Sequence, residues 1–276
     1  MSAVPGSASA AQSSARRLAL SRGAKSSGGT PARGLLPIIV VLGLWQLIGS
    51  AESPYFPVPS EWYAAIKPLA QEGVLAGALG WTSLTFGIGL ALATVTGAVL
   101  GTLVGSSRTM DRAFGPMLEF VRALPAAAIV PVLALILGYT MQMKLAVVVI
   151  PSTWPILLSC RTARRSMSPL LLDVPRTLGL SQAARLRKVL LPSMLPGLLL
   201  GVRVAAPLAL IVTLLVEIVT RINGLGALLA DAQTRYLSAQ VYGLLMIAGA
   251  LGYAVNWIVT RSEVAVARRM RGDTDL

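Results

Sequence analysis

Long apolar stretches alternate with short polar segments along most of this chain. Each stretch is near the roughly 17–25 residues that a helix needs to cross the hydrocarbon core of a bilayer. The stretches lie at 35–51, 81–104, 118–138, 145–160, 195–220 and 241–260. The pattern predicts an all-α polytopic integral membrane protein with about six transmembrane helices. The first and fourth stretches are the shortest of the six.

The composition excludes several classes of protein. Of the 276 residues, 55% are apolar and 13% are charged, whereas soluble domains average roughly 45–50% apolar and about 25% charged residues. The mean hydropathy of +0.72 agrees with a membrane protein. The chain has no histidine and one cysteine, so neither a histidine metal site nor an internal disulfide is expected.

Basic residues are unevenly distributed between the apolar stretches. If the amino terminus is cytoplasmic, the inside segments contain 19 Lys and Arg and the outside segments contain 4. Those inside segments are 1–34, 105–124, 161–194 and 261–276. Cytoplasmic loops are enriched in basic residues, so both termini are predicted in the cytoplasm. The net charge of +13 then reflects orientation in a lipid bilayer, not binding to nucleic acid.

Three regions follow from this pattern. Residues 1–34 are basic and rich in small residues, which predicts a disordered cytoplasmic tail. A transmembrane domain is predicted over 35–260, and a cytoplasmic C-terminal tail over 261–276. Alternatively, residues 1–51 form a secretory signal peptide. The five remaining spans would then place the basic C-terminal tail outside, against the charge distribution.

The longest inside segment has the start and stop signals of two short helices. Ser168 stands before a proline as an N-cap, Gly179 is placed to end the first helix, and Ser181 can cap the second. Pro192 is expected to stop the second helix before the fifth span. Taken alone, this segment is also compatible with a basic amphipathic helix that rests on anionic lipid.

The same segment resembles the coupling loop of permease subunits of binding-protein-dependent ABC importers. In that family the loop reads Glu-Ala-Ala, three residues, Gly, nine residues, Ile, one residue and Leu-Pro. The spacing is kept here, and the residues that the resemblance assigns to ATPase coupling are Asp173, Pro175, Arg176, Thr177, Leu178, Gly179, Val189, Leu191 and Pro192. Asp173 replaces the family Glu on a shorter stem, and Pro175 replaces an alanine. This proline predicts a first short helix that is bent or split near 171–174.

The segments at 119–125 and 223–226 are similar to the nitrate, sulfonate and taurine branch of that family. The resemblance implies a permease in the bacterial inner membrane that forms the translocation pathway for a small anion such as a sulfonate, taurine or nitrate. It implies a second permease subunit, expected to be an identical copy, two cytoplasmic ATPase subunits that bind ATP and magnesium, and an external substrate-binding protein.

The chain has no phosphate-binding loop of its own. Such a loop needs a Gly-Lys-Ser/Thr sequence, and none of the four lysines follows a glycine. Those lysines are Lys25, Lys67, Lys144 and Lys188. The chain is therefore expected to be a transport subunit without enzymatic activity, cofactor or metal. The alternatives are an ion-coupled secondary carrier, which needs carboxylates in its spans, and a non-transporting membrane scaffold.

Four ionisable residues in or near the spans are candidates for the pathway or its gate. Glu217 is predicted either to pair with Arg221, four residues further on one helix face, or to act in gating. Arg203 either snorkels to the cytoplasmic surface or contributes positive potential to an anion pathway. Glu119 and Arg122 are predicted to pair with each other.

Prolines and glycines predict how the spans bend and pack. Pro125 and Pro131 predict a kink in the third span, and Trp154-Pro155 predicts an interruption of the fourth, so spans three to five are expected to line the pathway. Glycines at 97, 101 and 105 recur every four residues, which predicts a face of the second span that another helix approaches closely.

Overall fold

The computed structural model describes residues 31–50, 53–168, 170–171, 177 and 179–272. Every regular element in these residues is helical, as predicted. The helices are α1 (Pro31–Ile48), α2 (Pro59–Gln71), α3 (Val74–Ser106), α4 (Arg108–Arg122), α5 (Ala126–Leu137), α6 (Met141–Arg165), α7 (Gln182–Arg185), a π-helical segment (Leu186–Leu190), α8 (Leu191–Thr220), α9 (Leu225–Thr234) and α10 (Ser238–Gly272).

Helix α1 belongs to a separate compact unit, Met1–Gly49. It begins at Pro31, so the last four residues of the predicted tail 1–34 are helical, and residues 1–30 lie outside the described residues. Its apolar part, Leu36–Ile48, is shorter than the roughly 17–25 residues that cross a bilayer.

Four helices of the second unit, Ser50–Leu276, are long and apolar enough to cross a membrane. They are Val74–Ser106, Met141–Arg165, Gln182–Thr220 and Ser238–Val266. The pair α4 and α5 adds a fifth span if it is counted as one crossing. By length and composition the described residues therefore contain four or five of the six predicted spans.

The third predicted span, 118–138, is not one straight helix. Helix α4 ends at Arg122 and α5 begins at Ala126, and the two are bent by 92°. Pro125 is the N-cap residue of α5 in extended conformation, because its ring fixes φ and it cannot donate to the preceding turn. The kink predicted from Pro125 is confirmed, whereas Pro131 lies inside a continuous α5.

Two other proline predictions are wrong. Helix α6 runs without interruption through Trp154 and Pro155. Pro192 does not stop the helix, because α7, the π-helical segment and α8 form one continuous run, Gln182–Thr220. The wider π-helical turn ends at Leu190, two residues before Pro192, and such a turn can accommodate the missing N–H and the bulk of the ring.

Helix α6 lies between α3 and α8, and small residues make both contacts close. A Cβ on Gly97 or Gly101 would lie 2.8 Å from Ile156 Cβ or 2.4 Å from the Leu157 carbonyl oxygen. On the other side of α6, a Cβ on Gly201 would lie 2.8 Å from Ile156 Cα. The predicted glycine face of the second span is confirmed, and α3, α6 and α8 form a tightly packed layer.

Two shorter helices lie in segments that the sequence pattern treated as connections. Helix α2 is anchored by Trp62, whose indole stacks on Tyr242 with ring centroids 5.3 Å apart and donates a hydrogen bond to the Pro57 carbonyl at 2.9 Å. Helix α9 packs against α8 and α10. Both were missed because they are shorter than a span and partly polar.

Candidate functional site

A buried ion pair joins the two helices at the centre of the fold. Lys144 Nζ on α6 lies 3.0 Å from Glu217 Oε1 on α8, and the two side chains are 1% and 0% exposed. Ionisable groups at membrane depth are costly unless they are paired. The pair is therefore a candidate functional or positioning site.

Both members of this pair have further hydrogen-bond partners. The Thr82 hydroxyl on α3 donates to Glu217 Oε2 at 2.8 Å and accepts from the Leu225 backbone N–H at 2.8 Å. The Gly226 N–H also donates to Glu217 Oε2, at 3.1 Å. Four segments of the chain thus meet at one carboxylate: α3, α6, α8 and the start of α9.

The ammonium group of Lys144 fixes the position of the turn between α8 and α9 by hydrogen bonds. Besides Glu217, it donates to the carbonyl oxygens of Ile222 at 3.2 Å and Asn223 at 2.7 Å. We call Thr82, Lys144, Glu217 and the turn 222–226 the buried ion-pair cluster. Its three ammonium contacts satisfy all the donors of the lysine.

Glycine is required in the turn of this cluster. Gly224 has φ +138°, and a Cβ there would lie 2.2 Å from the carboxyl carbon of Glu217. A Cβ on Gly226 would lie 2.6 Å from Glu217 Cβ. The Asn-Gly-Leu-Gly sequence at 223–226 therefore lets the backbone reach the carboxylate closely enough to donate hydrogen bonds.

The predicted Glu217–Arg221 pair is wrong. Arg221 adopts a left-handed conformation with φ +55° as the C-cap residue of α8 and is exposed, so it does not continue the helix face of Glu217. The partner, Lys144, was missed because the charge count placed it in the short outside segment between the apolar stretches 118–138 and 145–160. Lys144 stands one residue before the apolar stretch 145–160, and this position was the signal that could have indicated a lysine at the end of a span.

The other ionisable candidates form exposed or half-buried pairs. Arg122 Nη1 lies 3.6 Å from Glu119 Oε2, which confirms that prediction. Arg203 Nη1 lies 3.1 Å from Glu263 Oε2 on α10. Glu263 offsets the charge of Arg203, an interaction that neither sequence interpretation included.

A cavity of about 450 Å³ opens between the bent pair α4–α5, α6 and α8. Its walls are mainly apolar and include Trp154, Pro151 and Pro155 of α6 and Val204 of α8. Among the described residues, Arg122 is the charged side chain on its wall. Helices of the third to fifth predicted spans thus enclose a space with one cation at its edge.

The predicted coupling loop is described only in part. Asp173, Pro175, Arg176 and Leu178 lie outside the described residues, as does the bend predicted near 171–174. Thr177, Gly179, Leu191 and Pro192 are exposed and Val189 is half-buried.

The two serine caps predicted in this loop are confirmed. The Ser168 hydroxyl accepts a hydrogen bond from the Leu171 N–H at 3.4 Å, and the Ser181 hydroxyl accepts one from the Ala184 N–H at 3.2 Å. Gly179 has φ +66°, a conformation that other residues adopt at a cost.

A carboxylate that the sequence pattern did not single out holds the helix that enters this loop in place. Asp111, near the start of α4, pairs with Arg161 and Arg165 of α6 and is buried. The contact holds α4 against the end of α6 that leads into residue 168.

Comparison with known proteins places this chain in a family. Residues 93–272 match the family described as binding-protein-dependent transport system inner membrane component. The chain is 32% identical to the bicarbonate transport system permease protein CmpB of Synechocystis sp. over 80% of this chain and 85% of that protein. It is 27% identical to the nitrate import permease protein NrtB of Leptolyngbya laminosa over 81% of this chain and 83% of that protein.

A solved structure has the same fold. A chain of the MetNI methionine ABC transporter, in an inward facing conformation, aligns with a TM-score of 0.60 over 71% of this chain and 98% of that chain. The two sequences are 19% identical, so this likeness concerns the fold alone.

Proposed function

The chain belongs to the family of binding-protein-dependent transport system inner membrane components and is the permease subunit of an ABC importer, and we propose that two copies form the translocation pathway for a small anion. The observation that carries this proposal is the segment between α6 and α8 that contains the two serine caps and the left-handed Gly179. It has the spacing of the family's coupling loop and leads directly into a membrane helix.

Energy for import comes from partner subunits in this proposal. Two cytoplasmic ATPase subunits bind ATP and magnesium, because the sequence has no phosphate-binding loop for them. They contact the loop around Gly179, in which two helix caps and a left-handed glycine set the path of the chain. An external substrate-binding protein delivers the substrate, and both termini of the permease lie in the cytoplasm.

The proposed substrate class is a small oxyanion such as bicarbonate, nitrate, taurine or another sulfonate. Two observations support it: the names of the relatives, and the Arg122 side chain on the wall of the cavity between α4–α5, α6 and α8. A guanidinium presents a planar set of donors that suits oxyanions. Glu119 pairs with Arg122 but does not line the cavity.

The experiment is uptake into proteoliposomes that contain the permease, its ATPase and its binding protein. We expect ATP-dependent uptake of one of the labelled oxyanions and a strong loss of uptake in R122Q. The matched control is R235Q, because Arg235 also pairs with a nearby acid on its own helix, Asp231 at 3.0 Å, and lies away from the cavity.

Two results would overturn the proposal. Uptake by the permease alone, driven by an ion gradient, would identify a secondary carrier. Equal uptake by R122Q and R235Q would exclude the Arg122 cavity as the anion pathway.

A further inference from the structure

A second cavity, of about 320 Å³, lies between the end of α6 and the stretch formed by α7 and the π-helical segment. Two arginines, Arg164 and Arg185, line it together with apolar side chains that include Met167, Leu186 and Val189. Within the described ranges, no carboxylate lines this cavity. We call it the Arg164–Arg185 cavity.

The guanidinium of Arg164 is poorly satisfied. Among the residues that the structure describes, its buried Nε has no hydrogen-bond partner, and its Nη1 contacts the Met167 sulfur at 4.0 Å. Arg185 lines the same cavity, so two like charges share its wall and repel each other. Asp111, the carboxylate that α6 does contact, is engaged by Arg161 and Arg165 instead.

Two cations on the wall of one cavity, and a buried donor with no partner among the described residues, favour the binding of an anion. A guanidinium binds a phosphate through two parallel hydrogen bonds, and basic pockets between membrane helices on the cytoplasmic side bind anionic lipid head groups. Arg164 is the penultimate residue of α6, at the end predicted to face the cytoplasm. We propose that the Arg164–Arg185 cavity binds the phosphate group of an anionic phospholipid from the inner leaflet.

The shape and chemistry of the cavity favour a lipid over an acidic side chain of the ATPase. Most lining residues other than the two arginines are apolar, which suits the glycerol and first acyl carbons of a lipid. The cavity also lies where a membrane helix ends, at the depth of the head groups. A bound lipid would hold the π-helical segment against α6, directly before the helix that continues to Glu217.

The test measures lipid retention by the purified full-length chain. We expect native mass spectrometry to detect phosphatidylglycerol, but not phosphatidylcholine, on the wild type. The double variant R164Q/R185Q should lose this retention by about tenfold or more, since each basic residue near the surface contributes about 1 kcal/mol to binding anionic lipid. The matched control is R187Q/K188Q, which removes the same charge from exposed residues of the same stretch that do not line the cavity.

Several outcomes would overturn the proposal. Equal loss in both double variants would indicate general attraction to anionic membranes. Unchanged retention in R164Q/R185Q, with loss of ATPase assembly, would assign the cavity to a carboxylate of the ATPase. Displacement of the lipid by millimolar inorganic phosphate alone would identify a soluble anion as the ligand.

A milder comparison covers the case in which the double variant does not fold. The single variants R185Q and R187Q change one partly or fully exposed residue each. Lower phosphatidylglycerol retention in R185Q than in R187Q supports the site, and equal retention contradicts it.

Discussion

Breaking the buried ion pair between α6 and α8 should destabilise the protein strongly. The variant K144M removes the ammonium group and keeps a side chain of similar length. It leaves Glu217 charged and 0% exposed, with the Thr82 hydroxyl and the Gly226 N–H as its remaining donors. It also removes the donor from two backbone carbonyls of the turn, those of Ile222 and Asn223.

The expected magnitude follows from these contacts. Removing one partner of a buried ion pair costs about 3–5 kcal/mol. The double variant K144M/E217Q removes both charges and keeps an amide oxygen for Thr82 and Gly226. Its remaining penalty is that of the two unpaired carbonyls, about 1–3 kcal/mol each, whereas the two single variants each carry the larger cost of an unpaired buried charge. The two substitutions should therefore be coupled by at least about 2 kcal/mol.

The assay is unfolding of the purified chain in mixed micelles titrated with sodium dodecyl sulfate, followed by circular dichroism. All four members of the cycle, the wild type, K144M, E217Q and the double variant, are compared. The control cycle uses the exposed pair Arg235–Asp231, which has the same 3.0 Å separation; such pairs contribute about 0–1 kcal/mol. If the effects of K144M and E217Q add within about 0.5 kcal/mol, the ion pair does not hold the helices together.

Three glycine substitutions test other parts of the structure. G101A should lower the free energy of unfolding by about 1–3 kcal/mol in the same assay, because its Cβ would lie 2.4 Å from the Leu157 carbonyl oxygen. In the control G87A, the added Cβ would meet open space. Equal stability of the two variants would contradict the close packing. G224A should abolish folding, since its Cβ would overlap the Glu217 carboxylate; a monodisperse, stable product would refute this. In G179V the assembled complex should still hydrolyse ATP but import less substrate, because a β-branched residue adopts φ +66° at a cost of about 1–2 kcal/mol. The control G179N should retain uptake. Normal uptake by G179V would contradict a coupling role.

Local features of this fold were predictable because they depend on neighbours in sequence. The caps at Ser168 and Ser181 each need a hydroxyl and an N–H three residues later. The glycine face of α3 depends on a spacing of four residues. Both were confirmed without knowledge of the partner helix.

Long-range features could not be predicted in this way. Lys144 and Glu217 are 73 residues apart in sequence, and their contact depends on the axial register in which α6 and α8 pack. A pattern within one helix offered Arg221 as the nearest cation to Glu217. The register between helices is set by close packing around Gly201 and Ile156, which a single sequence does not reveal.

The proline rules failed where packing outweighed them. Pro155 lies in a helix held on both sides, by α3 and by α8, and neighbouring helices make prolines tolerable in membrane helices. Pro125 lies between α4 and α5 and is exposed. The same residue type thus bends the chain at 123–125 and leaves α6 continuous.

This difference indicates where the permease can move. The glycine contacts of α3, α6 and α8 leave no space for sliding, and the buried ion-pair cluster closes one end of that layer. One continuous helical run leads from Gln182, beside the proposed coupling loop, to Glu217, a distance of about 50 Å at 1.5 Å per residue. Because the layer cannot slide internally, a displacement of the first turn of this run by the proposed ATPase partner would move α3, α6, α8 and the turn 222–226 together as one rigid body. The bend at 123–125 and the left-handed Gly179 are the breaks that can absorb the accompanying rotation. Because Asp111 holds α4 against α6, α5 would swing relative to this layer and change the cavity that contains Arg122.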